Sequence, residues 1–314
     1  MATVPDHVSE SVDELLTAIE RDRDVSIALA AARGSHAWGA ASSESDYDVG
    51  FVFVPDDLRQ YAHLETPPTT IHAASDTDAR TAEIECQGWD VRTFAKLLAD
   101  SNDGAIDLLR SPIRYRTGYD PTELAEYIEE AYNPMDLYHA WRGIATSNYR
   151  KYVSHHLVST DDELFPILEV LEDDDAYVVE TDDGTATISA DDERYAETQT
   201  KPTVKRNLTI CRAAISARYL RATGERGEHD LPALEFEAFL TEQAPAVFDA
   251  ERIERARELL ERKRAGEGAV EIGDAVGHEF AHPPQGIDPE IHAREGPDVA
   301  RLDEFVDEMI AATE

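Results

Sequence analysis

Arg33-Gly34-Ser35-His36-Ala37-Trp38-Gly39-Ala40-Ala41-Ser42-Ser43-Glu44-Ser45-Asp46-Tyr47-Asp48-Val49-Gly50 sets a glycine-serine break and an Asp-x-Asp pair between two apolar runs. The run before it, Val25 to Ala32, reads as a buried strand. The run after it, Val49 to Val54, reads as a second strand closed by Pro55-Asp56-Asp57. Gly34 permits close approach of the backbone to a ligand. Ser35 offers a hydroxyl and an N–H at the start of a short helix, where an anion is favoured. After ten further residues, Asp46 and Asp48 stand two apart at a strand entrance, so both carboxylates point to one side. A turn for phosphate followed by oxygen ligands for magnesium is the order of parts a phosphate-handling, two-cation site requires. The combination carries the weight. Asp-x-Asp also occurs at Asp22/Asp24 and Asp76/Asp78, in stretches that read as loops. The competing reading of the whole segment is a glycine turn beside a solvated acidic loop.

Outward from this segment, residues 9–20 read as a helix with Val12, Leu15, Leu16 and Ile19 on one face. Residues 82–87 alternate, with Ile84 and Cys86 against Glu83, Glu85 and Gln87, as a strand does. Asp90 stands where a helix N-cap belongs, before an apolar face of Val91, Phe94, Leu97 and Leu98. The first third is therefore α/β. From about Pro121 the chain reads as mostly helical, with helical spacing near 135–158, 203–222, 248–264 and 299–310. A very acidic insertion near 172–200 interrupts it. Within that insertion Asp182-Asp183-Gly184 reads as a hairpin turn. Residues 265–297, rich in Gly and Pro, read as an extended connection.

The chain has 66 acidic and 29 basic residues and a formal charge of -37, spread along its length. Such a surface repels itself at low ionic strength. In about 1 M salt the Debye length falls to about 3 Å and the repulsion is screened. The expected setting is the cytoplasm of a salt-accumulating cell. General attraction to nucleic acid is weak, because that binding rests on phosphate neutralisation. Cys86 and Cys211 lie in apolar runs and suggest no disulfide. No apolar stretch approaches the ~20 residues that span a bilayer, so no membrane partner is expected.

Three further stretches carry a resemblance. Glu85-Cys86-Gln87-Gly88-Trp89-Asp90-Val91-Arg92-Thr93-Phe94 is similar to an Asp-Ile-x-Gly-Trp-Asp-Leu-Arg-Lys pattern. Ser101 to Tyr115 is similar to a Ser-Asn-Pro…Glu…Ser-Pro-Ile-x-Tyr pattern, and Asn148 to Tyr152 and Lys205 to Leu220 fit two helical signatures. With the Gly34–Asp48 segment they resemble the polymerase-β superfamily of nucleotidyltransferases. Within it they resemble the predicted nucleotidyltransferases found beside RNA ligases, the RlaP or YcgL group. The resemblance covers roughly residues 25–240. It implies an α/β nucleotidyltransferase domain with a polymerase-β-like mixed sheet over residues 1–118, followed by a mostly α-helical domain over 119–314. It also implies attack of a hydroxyl on the α-phosphate of an NTP, with release of pyrophosphate. Asp46, Asp48 and Glu85 would hold two Mg²⁺ ions, with Mn²⁺ as the alternative, and Gly34 and Ser35 the triphosphate. The acceptor would be an RNA end, a protein side chain or a small molecule. The group has Asp where this chain has Glu85, and Asp90 is the other candidate for third ligand. Asp103 for Pro and Asp107 for Glu are further departures. A second reading is a catalytically weak nucleotide-binding or antitoxin-like protein.

Other residues carry less. Lys205, Arg206 and Arg212 on a helix could face nucleotide phosphates, as could Lys151 and Tyr149, with surface ion pairing as the plain alternative. Trp38 is expected to pack in the core. His278-Glu279-Phe280-Ala281-His282 has the His-Glu-x-x-His spacing of zinc proteases, which needs a helix. Pro283 disfavours helical geometry at His282, so the zinc reading is set aside. His155-His156 reads as helix surface.

Overall fold

The computed structural model describes residues 4–64, 66–75, 83–171, 176–182, 184–198 and 201–313. Asp76, Asp78 and Asp183 lie outside the described residues. The chain forms two compact units that interleave in sequence. The first unit comprises Met1–Ala140, Leu220–Val247 and Ile287–Glu314, and the second Trp141–Tyr219 and Phe248–Gly286. The sequence had led us to expect two consecutive domains meeting at 118/119.

In the first unit, α1 (Asp6–Arg23) leads into β1 (Val25–Ala32) through Asp24, which takes a left-handed conformation. A one-turn helix, α2 (Gly34–Ala37), precedes β2 (Tyr47–Pro55), β3 (Thr70–Ala74) and β4 (Ile84–Asp90). Then follow α3 (Val91–Ala99), α4 (Asp103–Arg110), β5 (Arg114–Thr117) and α5 (Thr122–Ala131). The five strands form one mixed sheet in the order β3-β4-β2-β1-β5, with β2 and β4 parallel and the other pairs antiparallel. Val8, Val12, Leu16 and Ile19 of α1 pack on Val49, Phe51 and Phe53 of β2 and on Ile84 and Cys86 of β4. Each such side chain contributes about 1.5–3 kcal/mol when buried, and together they fix which face of the sheet turns inward. β5 is tied to α1 by Arg116, which donates to Asp13 at 2.7 Å and to Glu20 at 2.6 Å. The helix Val299–Ala311 also belongs to this unit.

α6 (Pro134–Tyr152) enters the second unit, which has an antiparallel sheet of its own. Its strands are β6 (His156–Ser159), β7 (Leu164–Val170), β8 (Ala176–Thr181), β9 (Gly184–Ser189) and β10 (Tyr195–Thr198), in the order β10-β6-β7-β8-β9. Leu157, Val179 and Ile188 are its buried centre. α7 (Val204–Gly224) and the helix Ala250–Arg264 follow. The second unit thus holds a five-stranded sheet beside its helices. β8, β9 and β10, the strands within the acidic stretch, flank the inner strands β6 and β7 on both sides. Helical spacing continued to 158 in the sequence because Tyr149, Val153 and Leu157 recur every four residues, but the helix stops at Tyr152 and Leu157 is an inward strand residue. His156, expected on a helix surface, is a buried strand residue whose Nδ1 lies 3.1 Å from Ser154 O. Residues 265–297 are not simply extended but hold single turns at Glu267–Ala269, His278–Ala281 and Pro289–His292. Among the described residues no helix is long and apolar enough to cross a membrane.

Candidate active site

Arg33, the residue after β1, donates its backbone N–H to Asp48 O at 2.8 Å, so the turn leaves β1 beside the entrance to β2. Gly34 has φ +57°, and a Cβ built on it would lie 2.1 Å from Asp48 Oδ2. The glycine is therefore required twice, by its left-handed backbone and by the carboxylate against its Cα. Sequence reasoning had reserved that space for phosphate. Ser35 lies half-buried in α2, and Ala40 N–H donates to its carbonyl at 2.8 Å.

Register brings the second half of the site together. On the parallel strands β2 and β4, Asp48 pairs with Glu85 and Val49 with Cys86. Because Val49 and Cys86 belong to the core under α1, alternation turns Asp48 and Glu85 to the opposite face. Asp46, one residue ahead of β2, is exposed, as is Glu85. A cavity of about 620 Å³ opens here, lined by Arg33, Gly34, Trp38, Asp48, Glu85 and Gln87 among others. Trp38 lines this cavity half-buried rather than filling the core. Cys86 also lines it, and burial pushes its thiol up to about 12. Lys205 and Arg212 belong to the second unit, whereas the cavity lining is drawn from the first.

Arg33 is the functional candidate the sequence reading passed over. Its guanidinium donates to Gln87 Oε1 at 3.0 Å and lies 4.8 Å from the centre of the Trp89 ring. Burial lowers its pKa, and the charges of Asp48, Asp103 and Asp107 work against that shift. Asp103, where the family pattern has Pro, thus adds acidic charge near this cation, and Asp107 keeps the acidic charge of the pattern's Glu. The available signal was an arginine directly at the end of a buried strand, next to the glycine.

Asp90 is occupied otherwise. Its Oδ1 accepts from the backbone N–H of Arg92 at 3.0 Å and of Thr93 at 3.2 Å, and Oδ2 accepts from the Tyr61 hydroxyl. It is buried, as the N-cap of α3.

A family model described as "RlaP: RNA repair pathway DNA polymerase beta family" matches residues 8–308. That span includes the acidic insertion and the tail after 265, which the sequence resemblance had left outside. The protein of Bacillus subtilis (strain 168) described as "Uncharacterized protein YcgL" is 30% identical over 143 residues, 45% of this chain and 52% of its own length. The chain thus spans about half the length of that relative. A solved nucleotidyltransferase-like protein from Exiguobacterium sibiricum 255-15 is 10% identical with a TM-score of 0.29, over 82% of this chain and 75% of that one. With its model matched across nearly the whole sequence, the chain belongs to the RlaP family, the RNA repair pathway DNA polymerase beta family.

Proposed function

We propose that this protein moves a nucleoside monophosphate from an NTP to a hydroxyl acceptor and releases pyrophosphate. The observation that carries the reading is the register pairing of Asp48 with Glu85 on parallel strands, beside a glycine turn and facing one cavity. The donor set suits a hard cation: it is all oxygen, and the exposure of Asp46 and Glu85 leaves room for the waters magnesium keeps. Asp46, Asp48 and Glu85 would hold two Mg²⁺ ions, which when bound neutralise charge on the attacked phosphate and the leaving pyrophosphate. Gly34 and Ser35 would present backbone N–H groups to the triphosphate. Arg33 would hold Asp48 in place and set positive charge at the cavity wall. Glu85 would also take the proton of the incoming hydroxyl. Cys86, with its thiol pushed up to about 12, stays protonated near neutral pH and takes no part as a nucleophile.

The family description names RNA repair, which favours an RNA end as acceptor. With a charge of -37, RNA binding would need high salt or a local basic patch. The test is incubation with α-labelled NTPs, Mg²⁺ and total RNA in molar KCl, expected to put label into RNA. Label retained on the protein without transfer supports the catalytically weak alternative. That alternative is motivated by Glu85, one methylene longer than the Asp of the family pattern.

A further inference from the structure

The second unit holds a cluster of metal-binding side chains that nucleotidyl transfer leaves unused. Glu180 comes from β8, and His278 and His282 from the single turn His278–Ala281 and the residue after it. One ligand atom from each lies within 4.8 Å of the other two. His278 Nε2 is 3.6 Å from Glu180 Oε2, close to the ~3.4 Å edge of a tetrahedron with ~2.1 Å metal–ligand bonds. The helix does end before His282, as Pro283 requires. His282 has φ -112° and ψ 79°. Its ring nevertheless stacks on that of His278, with centroids 4.1 Å apart. The proline therefore breaks the helix without separating the imidazoles.

Three details prepare this cluster for a cation. His282 Nδ1 lies 2.8 Å from the His278 carbonyl. A carbonyl only accepts, so Nδ1 carries the hydrogen and Nε2 carries the lone pair. That Nε2 is buried and makes no hydrogen bond, nor does Glu180 Oε2. An imidazole that donates one nitrogen to a backbone carbonyl and leaves the other bare is in the tautomer that metal ligation uses. Second, Glu180 and His282 are both partly buried, so a cation held between them would be partly withdrawn from water. Third, the Tyr149 ring lies edge-on to both imidazoles, at 5.6 Å and 5.2 Å, and its hydroxyl is anchored on Asp274 at 2.6 Å. Arg150 sits 3.6 Å from the other Glu180 oxygen, Oε1, while Oε2 faces His278 Nε2 at 3.6 Å.

We propose that Glu180, His278 and His282 form a binding site for one zinc-class divalent cation. Two imidazoles and one carboxylate suit zinc far better than magnesium. The bound ion would fasten the β8–β9 hairpin to the segment that follows the helix Ala250–Arg264. The site is not a zinc-protease centre, because Glu279, the glutamate of the His-Glu-x-x-His run, is exposed and outside the cluster.

The test is competitive Zn²⁺ titration of chelator-treated full-length protein in molar KCl, where diffuse binding to surface carboxylates is screened. One tight equivalent per chain is expected in the wild type and equally in Glu279→Gln and in Asp48→Asn. His278→Gln and Glu180→Gln should each weaken it by at least about 100-fold, beyond the loss seen when outer-shell partners are removed. Unchanged affinity in both variants, or no tight equivalent in the wild type, overturns the site. Co²⁺ added to the wild type gives a measurement that does not depend on variants folding. Intense visible bands of a four-coordinate nitrogen–oxygen site are expected, and the weak spectrum of six-coordinate Co²⁺ overturns the proposal.

Discussion

At the residue scale, Gly34 carries the most direct structural consequence. Alanine there must adopt a left-handed backbone, at about 1–2 kcal/mol, and its Cβ would displace the Asp48 carboxylate. Gly34→Ala should therefore lower the denaturation midpoint and reduce transfer together. Full stability with unchanged transfer would show that the turn is not built as described. Glu85 and Asp90 separate just as cleanly. Asp90→Asn should be nearly silent, since Asn caps as well as Asp and its amide can still meet the Tyr61 hydroxyl. Asp90→Ala should cost about 1 kcal/mol while activity per folded molecule is kept. Glu85→Gln should abolish transfer at little cost in stability, because Glu85 is exposed. Inactive Asp90→Asn beside active Glu85→Gln reverses the assignment. Asp46 lies one residue ahead of β2, while the positions of Gly34, Asp48 and Glu85 were legible because strand alternation and one tight turn place them. Arg33 was not, because what marks it is three-dimensional: the ring of Trp89, the amide of Gln87, and two acids from α4.

At the element scale, strands with a buried run between turn residues were legible to within a few residues, as β1, β2 and β4 were. β5 was missed because it has four residues and no apolar run: Arg114 donates to the carbonyls of Leu108 and Leu109, and Arg116 to Asp13 and Glu20 of α1. β6 was missed because a spacing of four is even, so helix and strand both put Leu157 on the side of Val153. The connection after α7 offers an element-level prediction. His229 is buried with φ 53°, its Nε2 3.1 Å from His292 Nδ1 and its Nδ1 3.1 Å from Arg294. Burial first, then Arg294 and His292, lower its pKa to about 4. The unfolded chain takes up that proton near pH 6.5 and the folded chain only near 4. The associated stability is thus complete above about pH 6.5 and lost as the pH falls toward about 4. His229→Asn tolerates the left-handed backbone and does not titrate. The stability difference between wild type and variant should shrink across that window in thermal melts at matched salt. A difference that stays constant with pH would contradict the assignment.

At the scale of the whole molecule, composition gave the charge but not the partition. Interleaved units require contacts between segments over a hundred residues apart, which no local pattern records. A net charge of -37 predicts that the melting temperature rises from about 0.1 M to about 2 M KCl, as the Debye length falls from about 10 Å to about 3 Å. A flat or falling curve would remove the basis for a salt-adapted setting without touching the chemistry. The chemistry is tested most directly by Asp48→Asn, a substitution that keeps shape and removes one charge from the face shared with Glu85. The measurement is Mg²⁺-dependent transfer of label from an α-labelled NTP, per folded molecule, in molar KCl. Active wild type with transfer abolished in Asp48→Asn is the predicted result. Near-normal transfer by Asp48→Asn would contradict the site at its centre.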